Sequence, residues 1–169
     1  MAATTQTLAQ TNTNYGNVTR GRNNGPQMEL LEQFIDFSDN NIDPNGSTIA
    51  CLSIPANTVC FEAGLEVVTA LTSDQTDATV DMGNEGGDVD YWVDGFDIDG
   101  ASAGAYGTRD DATATLPQRF TSAGNMLLTF AGTAGTLSAG KIRVWALIAN
   151  LTHNNGADQA TDVDRDLLA

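Results

Sequence analysis

Lys141-Ile-Arg-Val-Trp-Ala-Leu-Ile-Ala-Asn-Leu151 is the stretch from which the fold is read. In extended backbone, Ile142, Val144, Ala146 and Ile148 fall on one face, and Arg143, Trp145, Leu147 and Ala149 on the other. A helix competes, because a long apolar run is ambiguous by period alone. The β-branched residues and the preceding Ala139-Gly140 favour a strand. Both faces are largely apolar, so the expectation is a central strand covered on each side.

Working outward, further strand-like segments alternate with turn signals. Leu30 to Phe37 ends in Ser38-Asp-Asn-Asn-Ile-Asp-Pro-Asn-Gly46, dense in turn residues. Thr48–Ile54 and Thr58–Phe61 flank Pro55-Ala56-Asn57. Leu65–Leu71, Ala78–Met82, Val89–Phe96, Arg119-Phe120 and Met126–Phe130 follow. With 17 glycines and about eight to ten short strands, the pattern implies an all-β fold, an antiparallel β-sandwich or jelly-roll-like barrel. If Thr48–Ile54 and Thr58–Phe61 form a hairpin, Cys51 and Cys60 lie across from one another. A disulfide there is geometrically demanding, and without an export signal two buried, reduced thiols are the expected state.

The organisation is an extended N-terminal arm at 1–27, a β-sandwich domain at 28–151, and an acidic C-terminal tail at 152–169. The arm is rich in Thr, Asn, Gln and Gly, and cannot bury enough surface to fold alone. Leu8, Tyr15 and Val18 are its spaced apolar anchors, and Arg20 and Arg22 can grip carboxylates in bidentate fashion. All five are candidate partner-binding residues. The N-terminus lacks the pattern of a signal peptide, and no run approaches the roughly 18 apolar residues of a membrane span.

The chain carries 22 acidic and 7 basic residues, for a net charge of −15. Residues 1–27 contribute +2; residues 28–169, with 5 basic and 22 acidic groups, contribute −17. Such a body repels nucleic acid, which binds by phosphate neutralisation, and repels anionic membranes. It favours basic partners, or else reflects the habitat of an acidic proteome.

Chemistry is sparse. The run Asp88 to Gly100 invites a calcium reading. Aligned with an EF-hand loop, however, it puts Gly95 at the first ligand position and Tyr106 where the bidentate Glu belongs. Asn41, Asp43, Asn45 and Gly46 imitate the same loop, but Leu52 occupies its last position. The run is therefore read as a half-buried strand with Val89, Tyr91 and Val93 inward and its aspartates solvated. His153 is a lone loop histidine without a nucleophile motif. Cys51, Cys60 and His153 are too few and too poorly spaced for zinc. No catalytic residue, metal site or cofactor is expected.

The stretch Ser53-Ile-Pro-Ala-Asn-Thr-Val-Cys-Phe-Glu-Ala-Gly-Leu-Glu-Val-Val-Thr-Ala70 resembles small virion proteins of tailed bacteriophages, of the capsid decoration or cement type. So do the strand Ala78–Gly83 leading into the acidic Asp88–Asp99 region, and Gly140-Lys-Ile-Arg-Val-Trp-Ala146. The resemblance covers residues 28–151. It implies a non-enzymatic role on the capsid surface of a virion assembled in the host cytoplasm, with the major capsid protein as partner. A homo-oligomer is expected, a trimer before a dimer, because capsids offer three-fold positions. The alternative is a fibre or vertex β-domain that binds a receptor or glycan, with Tyr91, Trp92 and Tyr106 stacking on sugars.

Overall fold

The computed structural model describes residues 28–38, 42–107 and 116–151, and the backbone of residues 5–7. Among these residues ten strands form two sheets: β1 (Thr5–Thr7), β2 (Met28–Asp36), β3 (Thr48–Ile54), β4 (Thr58–Ser73), β5 (Thr79–Asn84), β6 (Val93–Asp97), β7 (Tyr106–Gly107), β8 (Gln118–Phe120), β9 (Gly124–Ala131) and β10 (Leu137–Asn150). The first sheet has the order β1-β3-β9-β5-β6. The second has the order β2-β10-β4-β7, with β8 also on β4. Every pairing is antiparallel except β1 on β3, which is parallel from Thr5↔Thr48 to Thr7↔Ala50. The all-β sandwich is thus the architecture found.

The period-two pattern of each strand drives one face inward. Ile142, Val144, Ala146 and Ile148 of β10 join Ile35 and Phe37, and Leu65 and Val67 of β4. From the first sheet, Ile49, Leu52, Val80, Met82, Met126, Leu128 and Phe130 meet them in a single core. Phe37 and Phe130 pack edge to face across it, with ring centroids 6.0 Å apart.

β10 is central, as expected, held by β2 from Lys141↔Asp36 to Ala149↔Met28 and by β4 along its other side. It is not covered on both faces. Arg143, Trp145 and Leu147 are only half-buried, because no described element lies over the outer side of this sheet. Gly140 does not start this strand. It sits inside it at φ 108°, where the register with β4 slips between Ala139 and Lys141. A Cβ there would lie 2.7 Å from the Ala70 carbonyl oxygen and 2.6 Å from Leu71 Cδ2, so only glycine fits.

Three further expectations change. Thr58–Phe61 and Leu65–Leu71 are one strand, β4, because Glu62, Ala63 and Gly64 between them pair in regular register with Leu147, Ala146 and Trp145, and the one extra residue is taken up as a bulge at Phe61. β3 and β4 are not a hairpin. Pro55-Ala-Asn57, with Asn57 at φ 55°, carries the chain from one sheet to the other. Cys51 and Cys60 are therefore not cross-strand neighbours, and both are free and buried. Finally, Val89–Phe96 is not one strand. Residues 89–90 turn, and β6 begins at Val93. The turn resets the alternation, so Val89 is 48% exposed while Trp92 is fully buried.

Candidate functional site

Burial pushes both thiols up to about 12. Each is spent locally: the Cys51 thiol donates to the Met126 carbonyl at 3.2 Å and that of Cys60 to the Glu62 carbonyl at 3.5 Å. Thiols held so far above neutrality offer no thiolate nucleophile.

The acids near the loops are turn-forming groups. Asp97 Oδ1 accepts from the Asp99 amide at 2.9 Å, and Asp81 Oδ1 from the Gly95 amide at 2.7 Å. Asp43 Oδ1 accepts from the amides of Asn45 and Gly135, and these bonds hold its carboxyl below the usual range. Asp90 goes the other way: its protonated carboxyl can donate to the neighbouring Asp88 carboxylate, and this bond, with burial and like charge, raises it. Among the described residues, no three metal-ligating side chains gather. Asn41, His153 and the arm candidates Leu8, Tyr15, Val18, Arg20 and Arg22 lie outside the described residues.

The aromatic trio does not make a sugar platform. Trp92 is buried, its Nε1–H donating to Asn84 Oδ1 at 3.0 Å, and Asn84 Nδ2 passes the chain on to Gln118 Oε1 at 2.9 Å. Tyr91 packs against its edge, while Tyr106 stands on the other sheet.

What the fold does build is the outer face of the second sheet. The even positions of β2 point outward, leaving Met28 59%, Leu30 54% and Phe34 55% exposed. Register places Leu30 beside Leu147 and Met28 beside Ala149. Trp145 lies over Gly64: its Cζ2 stands 3.1 Å from where a Cβ would be. A row of charge crosses this apolar face. Arg143 Nη1 donates to Glu32 Oε1 at 3.0 Å, and its Nη2 pairs with Glu66 Oε2 at 2.6 Å. The Tyr106 hydroxyl donates to Glu66 Oε1 at 3.1 Å. Two residues before Arg143 on the same face, Lys141 Nζ meets Asp36 Oδ2 at 3.0 Å. The Ser38 hydroxyl and amide bind Asp36 Oδ1, and with Lys141 they lower its carboxyl to about 2.

This face was readable in part. Met28-Glu-Leu-Leu-Glu-Gln-Phe-Ile35 has apolar residues at both parities, inward at Leu31 and Ile35 and outward at Leu30 and Phe34. A strand with apolar residues on both sides needs a cover on both sides.

No protein-family model matches the chain, and no curated protein matches it in sequence. Solved structures do. A chain of the capsid asymmetric unit of cyanophage Pam1 superposes with a TM-score of 0.55 at 18% identity, over 77% of this chain and 89% of that one. A chain of the acidic stable capsid structure of Helicobacter pylori bacteriophage KHP30 does so at 0.50 and 16%, over 74% and 89%. At these identities the likeness is one of fold.

Proposed function

We propose that this chain is a non-enzymatic structural protein of a phage virion that binds and stabilises the outer capsid surface, as decoration or cement. The observation that carries the reading is the shared fold. Two chains with a like fold come from phage capsids, and the match takes in 89% of each. The likeness is thus to whole small chains, not to a fragment of a larger one. The chemistry of the described residues is consistent with it: the thiols are buried and the loop acids close turns.

In this reading the arm lies along neighbouring major capsid proteins. The parallel pairing of Thr5–Thr7 on β3 is the same kind of contact, backbone added to a sheet edge. Many copies acting together give strength even if each contact is weak. The fibre or vertex alternative loses its aromatic platform, since Trp92 is in the core and Tyr106 stands exposed on the other sheet.

Electron microscopy of expanded capsids lacking the protein, incubated with the purified full chain, tests the reading. Regular added density on the outer surface is the expected result, and bare capsids overturn it. Deleting residues 2–24 should leave a folded domain that binds much more weakly. Replacing Arg20 and Arg22 with Ala should weaken binding less, and mainly at low salt.

A further inference from the structure

The outer face of the second sheet is apolar and short of cations. Met28, Leu30 and Phe34 are more than half exposed, and half-buried Leu147 and Trp145 continue the patch. Four carboxylates stand among them. Arg143 serves both Glu32 and Glu66, and Lys141 serves Asp36. The fourth, Glu62, lies opposite Leu147, and its Oε1 is buried with no hydrogen-bond partner among the described residues. Arg119, exposed on β8 opposite Val59, is in no ion pair among the described residues. A buried carboxylate oxygen without a donor is costly. This face therefore calls for a partner that brings apolar groups and a guanidinium together.

The chain carries such a segment, joined to the face itself. Residues 1–27 hold Arg20 and Arg22 and no acid, and they lead into β2 at Met28, the corner of this face. Leu30, Leu147 and Glu62 form the next cross-strand row. Glu62 is thus two strands and one row from Met28, roughly 12 Å at ordinary sheet spacings. Arg22 precedes Met28 closely enough to reach roughly 20 Å from it, and Gly25-Pro26 between them is a turn signal. In extended backbone Val18, Arg20 and Arg22 share one side, about 7 Å apart. Successive rows on the sheet have the same spacing: Leu30–Leu147–Glu62, then Glu32–Trp145–Gly64, then Phe34–Arg143–Glu66. The far end of the arm allows this. Thr5–Thr7 pair with β3, which packs beside β2. Residues 8–27 can span roughly 65 Å when extended, against roughly 10 Å between packed sheets.

From these we infer that residues 18–22 of the arm dock across this face of their own chain, Arg22 on Glu62, Arg20 beside Glu32 and Val18 over Phe34. The occupant is the chain's own arm because a tethered segment meets the face at a high effective concentration, which a separate molecule must match in solution. Residues before Tyr15 are left to reach a neighbour.

Trypsin digestion of the folded full chain, followed by mass spectrometry, tests this. Cleavage after Arg20 and Arg22 should be at least fivefold faster in Glu62→Gln than in the parent, while cleavage after Arg165 keeps its rate. Val89→Glu, exposed but outside this face, should leave all three rates unchanged. Arg22→Cys with Glu62→Cys, oxidised at low micromolar concentration, should form a disulfide within one chain, and Arg22→Cys with Val89→Cys should not. Unchanged cleavage in Glu62→Gln, an equal effect of Val89→Glu, or a disulfide between chains rather than within one overturns the inference. It goes beyond the capsid reading: a docked arm on a chain that leaves capsids bare would overturn that reading and keep this one.

Discussion

The two sheets contribute alike to one core but differ on their outer faces. Across the first sheet, register sets Thr48 beside Thr129 and Thr129 beside Asp81, then Ala50 beside Leu127 and Leu127 beside Gly83. Leu127 apart, these residues are small or polar. Across the second sheet, the matching rows hold Phe34, Arg143, Glu66 and Tyr106, and Glu32, Trp145 and Gly64. These are large, apolar or ion-paired. Burying the inner faces stabilises the fold, and it constrains only every second residue. The alternate residues are free to differ, and in the second sheet they form a surface suited to contact.

The two tryptophans divide between the sheets and give the sharpest test. Trp92→Ala removes a fully buried ring and leaves Asn84 without its donor, so it should cost about 3–5 kcal/mol. Trp145→Ala removes a half-exposed ring and should cost about 1–2 kcal/mol. Urea denaturation of both variants checks this, and equal losses would break the distinction between inner and outer positions.

A glycine in each sheet gives the next test. A Cβ on Gly83 would meet the backbone of Asp88 and Val89 at 2.2 Å, which cannot move without undoing the turn that delivers Trp92. Gly83→Ala should therefore cost about 3 kcal/mol. On Gly64 the nearest obstacle is the Gly107 carbonyl at 2.8 Å, on the two-residue edge strand β7, which has to shift by a few tenths of an ångström, and the next is the half-buried Trp145 ring, which can turn aside. Gly64→Ala should cost about 1–2 kcal/mol, read from thermal melts.

The charge row of the second sheet comes next. Arg143→Met leaves Glu32 and Glu66 facing the same strand with no cation between them. The expected loss is about 1–2 kcal/mol near neutral pH, since the pairs are partly solvated. No loss at all would reduce the row to decoration of an exposed face.

Titration gives the smallest effects, and they have opposite signs. Asp36, Asp43 and Asp74 have folded-state carboxyls held low, Asp36 to about 2. Their contribution is complete above the unfolded value of about 3.9 and is lost as pH falls toward the folded one. Asp90 is raised, so its ionisation opposes folding at neutral pH, and that opposition vanishes below the unfolded value. Asp90→Asn should raise the melting temperature slightly at pH 7 and change nothing near pH 3. Destabilisation at pH 7 would show that the Asp88–Asp90 turn depends on the charge.

Much of the inner face was legible in the residues. Ile142 and Val144 alternate with Lys141, Arg143 and Trp145, and two-residue periodicity is a local property of extended backbone. The turn-rich stretch after Phe37 and the segments Thr48–Ile54 and Met126–Phe130 were legible for the same reason. Val89 to Trp92 misled, because the turn at residues 89–90 breaks the alternation: Val89 is exposed and Trp92 buried, while Val93, where β6 begins, faces inward as expected. The arm candidates Leu8, Tyr15, Val18, Arg20 and Arg22 remain a proposal from composition.

By itself, then, the sequence determined that the chain folds as strands, which residues of most strands face inward, and that the body is acidic beside a basic arm. Each of these follows from neighbours in the chain or from simple charge. Only the tertiary structure decided that β3 and β4 part into different sheets, that Gly140 is a bulge within β10 rather than its start, and that Arg143 meets Glu32 and Glu66 from strands far apart in sequence. Pairing depends on which edges come together once the core closes, and no local period encodes it. The outer face of the second sheet is a product of that pairing: Phe34, Arg143, Glu66 and Tyr106 become one row only when β2, β10, β4 and β7 lie side by side.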